Sequence, residues 1–235
     1  MLLRAFGGKD YKMREIIFDT ETTGFDPLSG DRVIEIGCVE MVNKVLTGET
    51  YHVYVNPERD VPASAFKVHG ISTDFLQDKA LFSSVADDFL AFVGDEALLV
   101  AHNADFDMKF INWELENAGK PILPQARFKD TLAIARIKFP GASNSLDALC
   151  KRFGIDNANR TLHGALLDSE ILADVYIELE GGRQAGMDLS LNPKKPTGQT
   201  AIKKAREPRQ FAPSEDELKV HDALIEKLDN PIWKQ

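Results

Sequence analysis

The first cluster of apolar positions, Glu15-Ile16-Ile17-Phe18-Asp19, is a short β-rich run that ends on an acid. Residues 33–39 and 50–55 follow with partial alternation of apolar and polar side chains, and Asn56-Pro57 stops the second of them. Three strands within 55 residues predict a meander, so part of the sheet is antiparallel. The period then changes. Ser72-Thr73-Asp74 reads as a helix cap, and residues 83–93 place Val85, Phe89, Leu90 and Val93 on one face. The unbroken apolar run at 97–101 predicts a buried central strand. Helical spacing returns over 106–118 and ends at Gly119-Lys120-Pro121. A short fifth strand at 128–130 precedes helices over 131–138, 145–153 and 164–179, the last stopped by Gly181-Gly182. The order predicts an α/β fold, a mixed β-sheet flanked by helices.

The pattern fades after Gly182. Residues 181–209 hold seven Lys/Arg against Asp188 and Glu207, three prolines and few large apolar side chains. Such a stretch buries too little apolar surface to offset its ordering entropy, so it reads as a flexible basic linker spanning roughly 30 Å. Pattern resumes at Pro213-Ser214-Glu215-Asp216-Glu217, a helix start, and continues through Leu218, Leu224 and Leu228 to Trp233. A lone helix of that length is marginal in water, which predicts that it folds against something else. The expected organisation is a domain over 1–180, a linker over 181–209 and a C-terminal helical segment over 210–235.

Composition narrows the class. No apolar run reaches the roughly 18–20 residues that cross a bilayer, and the start lacks a signal-peptide pattern, so a cytoplasmic protein without a membrane association is expected. Met13 is an alternative first residue. Cys38 and Cys150 stand far apart and outside any CxxC, which predicts two buried thiols rather than a disulfide or zinc site. The net charge is -9, with -11 in residues 1–180, and that excess argues against strong independent binding to nucleic acid.

Four carboxylates stand where carboxylates are costly. Asp19 and Glu21 share one face at the end of the first strand, if that strand persists so far. At 100° per residue Asp107 falls with Phe110, Ile111 and Ala118, and Asp168 falls within the stripe Ile171, Leu172, Val175 and Leu179. Each alone could be a satisfied core carboxylate or a polar turn. Together they suit two hard divalent cations, Mg²⁺ or Mn²⁺, in the arrangement used for in-line phosphoryl displacement. His163, five residues before Asp168, could take a proton from water. His52 and His221 read as structural, and His102 and Asn103 either orient the site or hydrogen-bond within their loop.

FDTETTG, HNADFD (His102 to Asp107) and HGALLD (His163 to Asp168) resemble, in order and spacing, the three motifs of the DEDDh 3'–5' exonucleases. The set is most similar to the branch that proofreads for bacterial DNA polymerase III. The resemblance covers roughly residues 15–180 and implies an RNase H-like fold. It also implies Asp19, Glu21, Asp107 and Asp168 as metal ligands and His163 as general base. Asp19, Glu21, Thr22, His69, Phe106 and Asp168 would contact the terminal nucleotide of a single-stranded 3' end. The FD pair selects Asp107 and leaves Asp105 an extra surface carboxylate. Ser64 stands where that branch carries a nucleotide-contacting glutamate. Gln184, Met187 and Leu189 resemble a peptide that binds the sliding clamp. Phe211, Leu218, Leu224, Leu228 and Trp233 resemble a segment that docks on the polymerase catalytic (alpha) subunit, and a small theta-type subunit is a further implied partner. Two rivals remain open at the level of sequence, a ribonuclease that trims RNA ends and a scaffold that stabilises a polymerase.

Overall fold

A computed structural model describes residues 13–158, 162–182 and 213–227. Five strands form one sheet in the order β3-β2-β1-β4-β5. They are β1 (Arg14–Thr22), β2 (Val33–Val42), β3 (Val45–Tyr54), β4 (Leu98–Ala101) and β5 (Phe128–Asp130). β1, β2 and β3 are antiparallel neighbours, while β4 and β5 run parallel to β1, so the sheet is mixed as the sequence predicts.

The β2–β3 hairpin turns on Asn43 and Lys44, at φ 52° and 64°. Two successive left-handed residues match the twist of a two-residue hairpin loop. β3 begins at Val45, earlier than its alternation indicates, because its first six residues are exposed on the sheet edge and carry no burial period. The helices are α1 (Ala63–His69), α2 (Thr73–Leu76), α3 (Phe82–Val93), α4 (Ala104–Asn117), α5 (Thr131–Lys138), α6 (Leu146–Phe153), α7 (Ala165–Leu179) and α8 (Glu215–Ile225). The sequence pattern missed α1, which is about two turns long and follows Pro62 with no side-chain cap.

β1 is buried on both faces, which is why it reads as an apolar run rather than an alternation. Ile16 and Phe18 pack with Phe82, Phe89, Phe110 and Ile111 of α3 and α4. Ile17 packs on the other side with Leu149, Leu172 and Val175 of α6 and α7. Odd-numbered β1 residues therefore face α7, and even-numbered ones face α4. At the start of the strand Glu15 is buried and accepts hydrogen bonds from Tyr176 Oη and Lys44 Nζ, both at 2.6 Å. Next to β2, the Arg32 guanidinium grips the buried Glu114 of α4 with two bonds of 2.8 and 2.9 Å, which locks that helix to the sheet. Cys38 and Cys150 are both buried, as expected.

The chain divides into two compact units, Met1–Met187 and Asp188–Gln235. In the second, Ser214 caps α8 and exchanges bonds with Glu217 in a capping box. Leu218 and Leu224 on this helix are exposed. Gln184, Met187, Leu189, Phe211, Leu228 and Trp233 lie outside the described residues. No helix among the described residues is long and apolar enough to cross a membrane.

α7 approaches the sheet so closely that a Cβ at Gly37 of β2 would fall 2.1–2.4 Å from backbone atoms of Ala165 and Leu166. Backbone cannot step aside as a side chain can. Gly37→Ala is therefore expected to destabilise the fold by about 1–3 kcal/mol in urea denaturation, and unchanged stability would contradict this packing.

Candidate active site

β1, β4 and β5 end on the same edge of the sheet, and the residues that follow them build a cleft there. This is the position at which parallel α/β sheets bind ligands. The cleft has a volume of about 270 Å³ and is lined by Asp19, Thr20, Glu21, His102, Phe106, Asp107, Leu146, Asp147, His163 and Asp168, with Ser145 at its rim.

Strand parity explains how the acids meet. β1 continues to Thr22, so Asp19 and Glu21 share one face, as expected, and it is the α7 side. There Asp168 sits in the first turn of α7, only 3 % exposed. A carboxylate in the first turn also lies where the helix dipole favours negative charge. Carboxylate oxygens of Glu21 and Asp168 and a ring nitrogen of His163 lie within 4.8 Å of one another, close enough to share one cation. Carboxylates in such a group are suitable donors for a hard divalent ion.

Asp107 comes from the opposite layer. It is 3 % exposed in the first turn of α4, and its Oδ1 accepts from Thr20 N at 3.1 Å and Thr20 Oγ1 at 2.7 Å. Thr20 thus ties the α4 acid to the strand that carries Asp19 and Glu21. Burial pushes the Asp107 carboxyl up to about 7, an effect partly offset by the Thr20 bonds.

His163 is the exposed member of the group, with a side chain 46 % exposed. Its Nδ1 lies 3.1 Å from Asp168 Oδ2. A carboxylate only accepts, so Nδ1 is the donor in this contact.

Phe106 lines the cleft and packs on Phe110 with ring centroids 4.9 Å apart. His102 lines it too, with Nε2 donating to the Asn144 carbonyl and Nδ1 facing Thr131 Oγ1, both at 2.9 Å. It braces the loop between α5 and α6. Thr22 and His69 do not line the cleft. The Thr22 hydroxyl donates to the Gly24 carbonyl at 2.6 Å. His69 is buried, and its Nδ1 accepts from Ile71 N at 3.0 Å. Burial, and then the neighbouring His163, lower its pKa, so the ring is neutral with its proton on Nε2. That buried Nε2 has no hydrogen-bond partner among the described residues, a donor left for something that enters.

Thr20, Leu146 and Asp147 are lining residues that sequence reasoning missed. Asp147 reads locally as an ordinary first-turn acid of α6, capped by Ser145. Asp105 is exposed, as the FD pairing implies. His52 is structural, with Nε2 2.7 Å from Glu35 Oε1.

Residues 16–176 match the family profile described as Exonuclease. The chain is 49% identical over 223 residues to the DNA polymerase III subunit epsilon of Rickettsia typhi, covering 92% of this chain and 97% of that protein. It is 43% identical over 238 residues to the DNA polymerase III subunit epsilon of Escherichia coli K12, covering 94% and 97%. Among solved structures, exonuclease X in complex with 5' overhanging duplex DNA is similar with a TM-score of 0.54 and 26% identity, over 71% of this chain and 90% of that one.

The raised Asp107 pKa has a measurable consequence in metal-free protein. The folded state holds this proton up to about pH 7, whereas the unfolded chain releases it near the ordinary aspartate value of 3.8. Stability from the protonated form is present below pH 4 and is lost as pH rises towards 7. Asp107→Asn lacks this loss and keeps an acceptor for Thr20. In chelator, its stability relative to the parent should rise between pH 4 and pH 8, by an amount on the order of a few kcal/mol in urea denaturation. A difference that stays constant across that range would contradict the buried, protonated carboxyl.

Proposed function

Because the chain belongs to the exonuclease family of DNA polymerase III epsilon subunits, we propose that its cleft removes the 3'-terminal nucleotide of single-stranded or frayed DNA during replication. The observation that carries the reading is the convergence of Glu21, Asp168 and His163 within 4.8 Å at the end of β1.

Asp19, Glu21, Asp107 and Asp168 would hold two divalent cations, Mg²⁺ or Mn²⁺, and their donor chemistry fits, being carboxylate throughout. Such ions supply charge neutralisation at phosphorus and a more acidic water. His163 accepts a proton from the attacking water at Nε2, while Asp168 orients the ring through Nδ1. The oxygen of that water bonds to the terminal phosphorus, the P–O3' bond breaks, and a nucleoside 5'-monophosphate leaves. The 3'-oxygen stays on the shortened strand. Phe106 supports the terminal base, and the unpartnered His69 Nε2–H is the donor we assign to the nucleotide, with Thr22 beside its backbone.

Several partners follow from the same family membership. Similarity to polymerase subunits over more than nine-tenths of the chain favours DNA over RNA as substrate. We place the exonuclease domain at 1–180, the linker at 181–209 with Gln184, Met187 and Leu189 as the clamp-binding peptide, and the polymerase-binding segment at 210–235. The exposed Leu218 and Leu224 of α8 support docking on the catalytic subunit, with Phe211, Leu228 and Trp233 completing the contact. A theta-type subunit and a cytoplasmic location belong to the same reading.

Two experiments test it. His163→Ala and Asp19→Ala should each lower exonuclease kcat by about 10²–10⁴-fold with the fold retained by circular dichroism, and excess chelator should abolish activity of the parent. Full activity in His163→Ala would remove that base from the mechanism. Deleting residues 210–235 should abolish co-purification with the polymerase catalytic subunit and leave hydrolysis of a short oligonucleotide unchanged. Co-purification that survives the deletion would place the docking surface elsewhere.

A further inference from the structure

The segment that carries His163 and Asp168 is held from two sides by backbone hydrogen bonds. His163 N donates to the Val68 carbonyl, next to the last residue of α1, at 3.1 Å. Ala165 N, the first amide of α7, donates to Glu35 Oε2 of β2, also at 3.1 Å. The second bond is unusual in origin. The residue before the helix is Gly164, at φ -149° and ψ 127°, and it has no side chain to cap the helix start. Unpaired first-turn amides of a buried helix are costly, and a carboxylate is well suited to receive one. Glu35 lies 130 residues away in sequence yet takes that place.

Electrostatics alone would not put an acid there. Glu35 is the ladder partner of Glu21, so its side chain adds a further negative charge on the face that already carries Asp19 and Glu21. What offsets this is the α7 amide on one oxygen and His52 Nε2 at 2.7 Å on the other. Two residues along β2, Gly37 makes the close contact with Ala165 and Leu166, and Ser169 Oγ donates to its carbonyl at 2.8 Å. β2 thus grips the first turn of α7 at two successive inward positions.

We propose that Glu35 is a positioning residue for the exonuclease reaction, its carboxylate replacing the missing cap of α7 and so fixing where His163 and Asp168 stand relative to Glu21. The role rests on the assignment of His163 and Asp168 to catalysis made above. Glu35 touches no reacting atom. Its effect is on the rate at which bound substrate reacts, not on binding.

Two substitutions in the full-length protein separate reach from charge. Glu35→Asp keeps the charge and withdraws it by one methylene. Glu35→Gln keeps the reach and removes the charge, with its amide oxygen on Ala165 N and its NH₂ donating to His52 Nε2 once the ring proton moves to Nδ1. With a single-stranded oligodeoxynucleotide and saturating Mg²⁺, Glu35→Asp should lower kcat on the order of 10–100-fold and leave KM within about twofold, as for a small misplacement of a catalytic group. Glu35→Gln should restore kcat to within about threefold of the parent by the same reasoning. A second readout needs no metal: the Ala165 amide should exchange with D₂O faster in Glu35→Asp than in the parent or Glu35→Gln. Parental kcat in Glu35→Asp would overturn the proposal. So would a Glu35→Gln enzyme as slow as Glu35→Asp with its Ala165 amide still protected, since charge rather than position would then be the cause. A parent chain inactive with both Mg²⁺ and Mn²⁺ would instead overturn the function assigned above.

Discussion

Glu21 and Asp168, with Asp19 beside them and Asp107 reaching in from the opposite layer, converge at the carboxyl end of β1, where like charges repel unless a cation lies between them. The remainder of the fold can be understood as the means of holding them there. β1 is central and buried on both faces, so its alternate residues serve two layers at once. α7 lies against one face and brings Asp168 to Glu21, while its other end seats Tyr176 on Glu15. α4 lies against the other face, is locked to the sheet through Arg32 and Glu114, and brings Asp107 to Thr20. A group of repelling charges is kept together because α4 and α7, which carry Asp107 and Asp168, pack in separate core clusters on the two faces of β1, which carries Asp19 and Glu21.

Much of this was legible in the sequence, for a physical reason. A carboxylate on an apolar stripe breaks a pattern, so Asp107 and Asp168 stand out from helical periodicity alone, and both are buried. Asp19 and Glu21 are conspicuous because an apolar strand runs straight into them. The sheet was legible where burial is periodic or complete, and less so in β3, whose exposed beginning has no period to read.

What stayed hidden is pairing between distant residues. Thr20 is an ordinary strand threonine until Asp107, 87 positions on, is found bonded to it. Glu35 sits in an apolar strand and gives no local sign that it caps a helix 130 positions later. His69 was named through family likeness, yet its buried and unpartnered Nε2 is a property of packing that no spacing reveals. The acidity of the domain also changes meaning. The -11 of residues 1–180 includes a cluster that divalent cations would neutralise, and under the proposed function what remains would suit a subunit that receives a frayed strand end from a polymerase rather than gripping duplex DNA itself.

The most direct test of this account is to count the ions the cleft binds. Titration of the full-length protein with Mn²⁺ in the presence of thymidine 5'-monophosphate, followed by electron paramagnetic resonance, should give two bound ions per chain, and Asp19→Asn should lose at least one. A parent protein that binds no Mn²⁺ under these conditions, or an Asp19→Asn variant that binds as many ions as the parent, would contradict it.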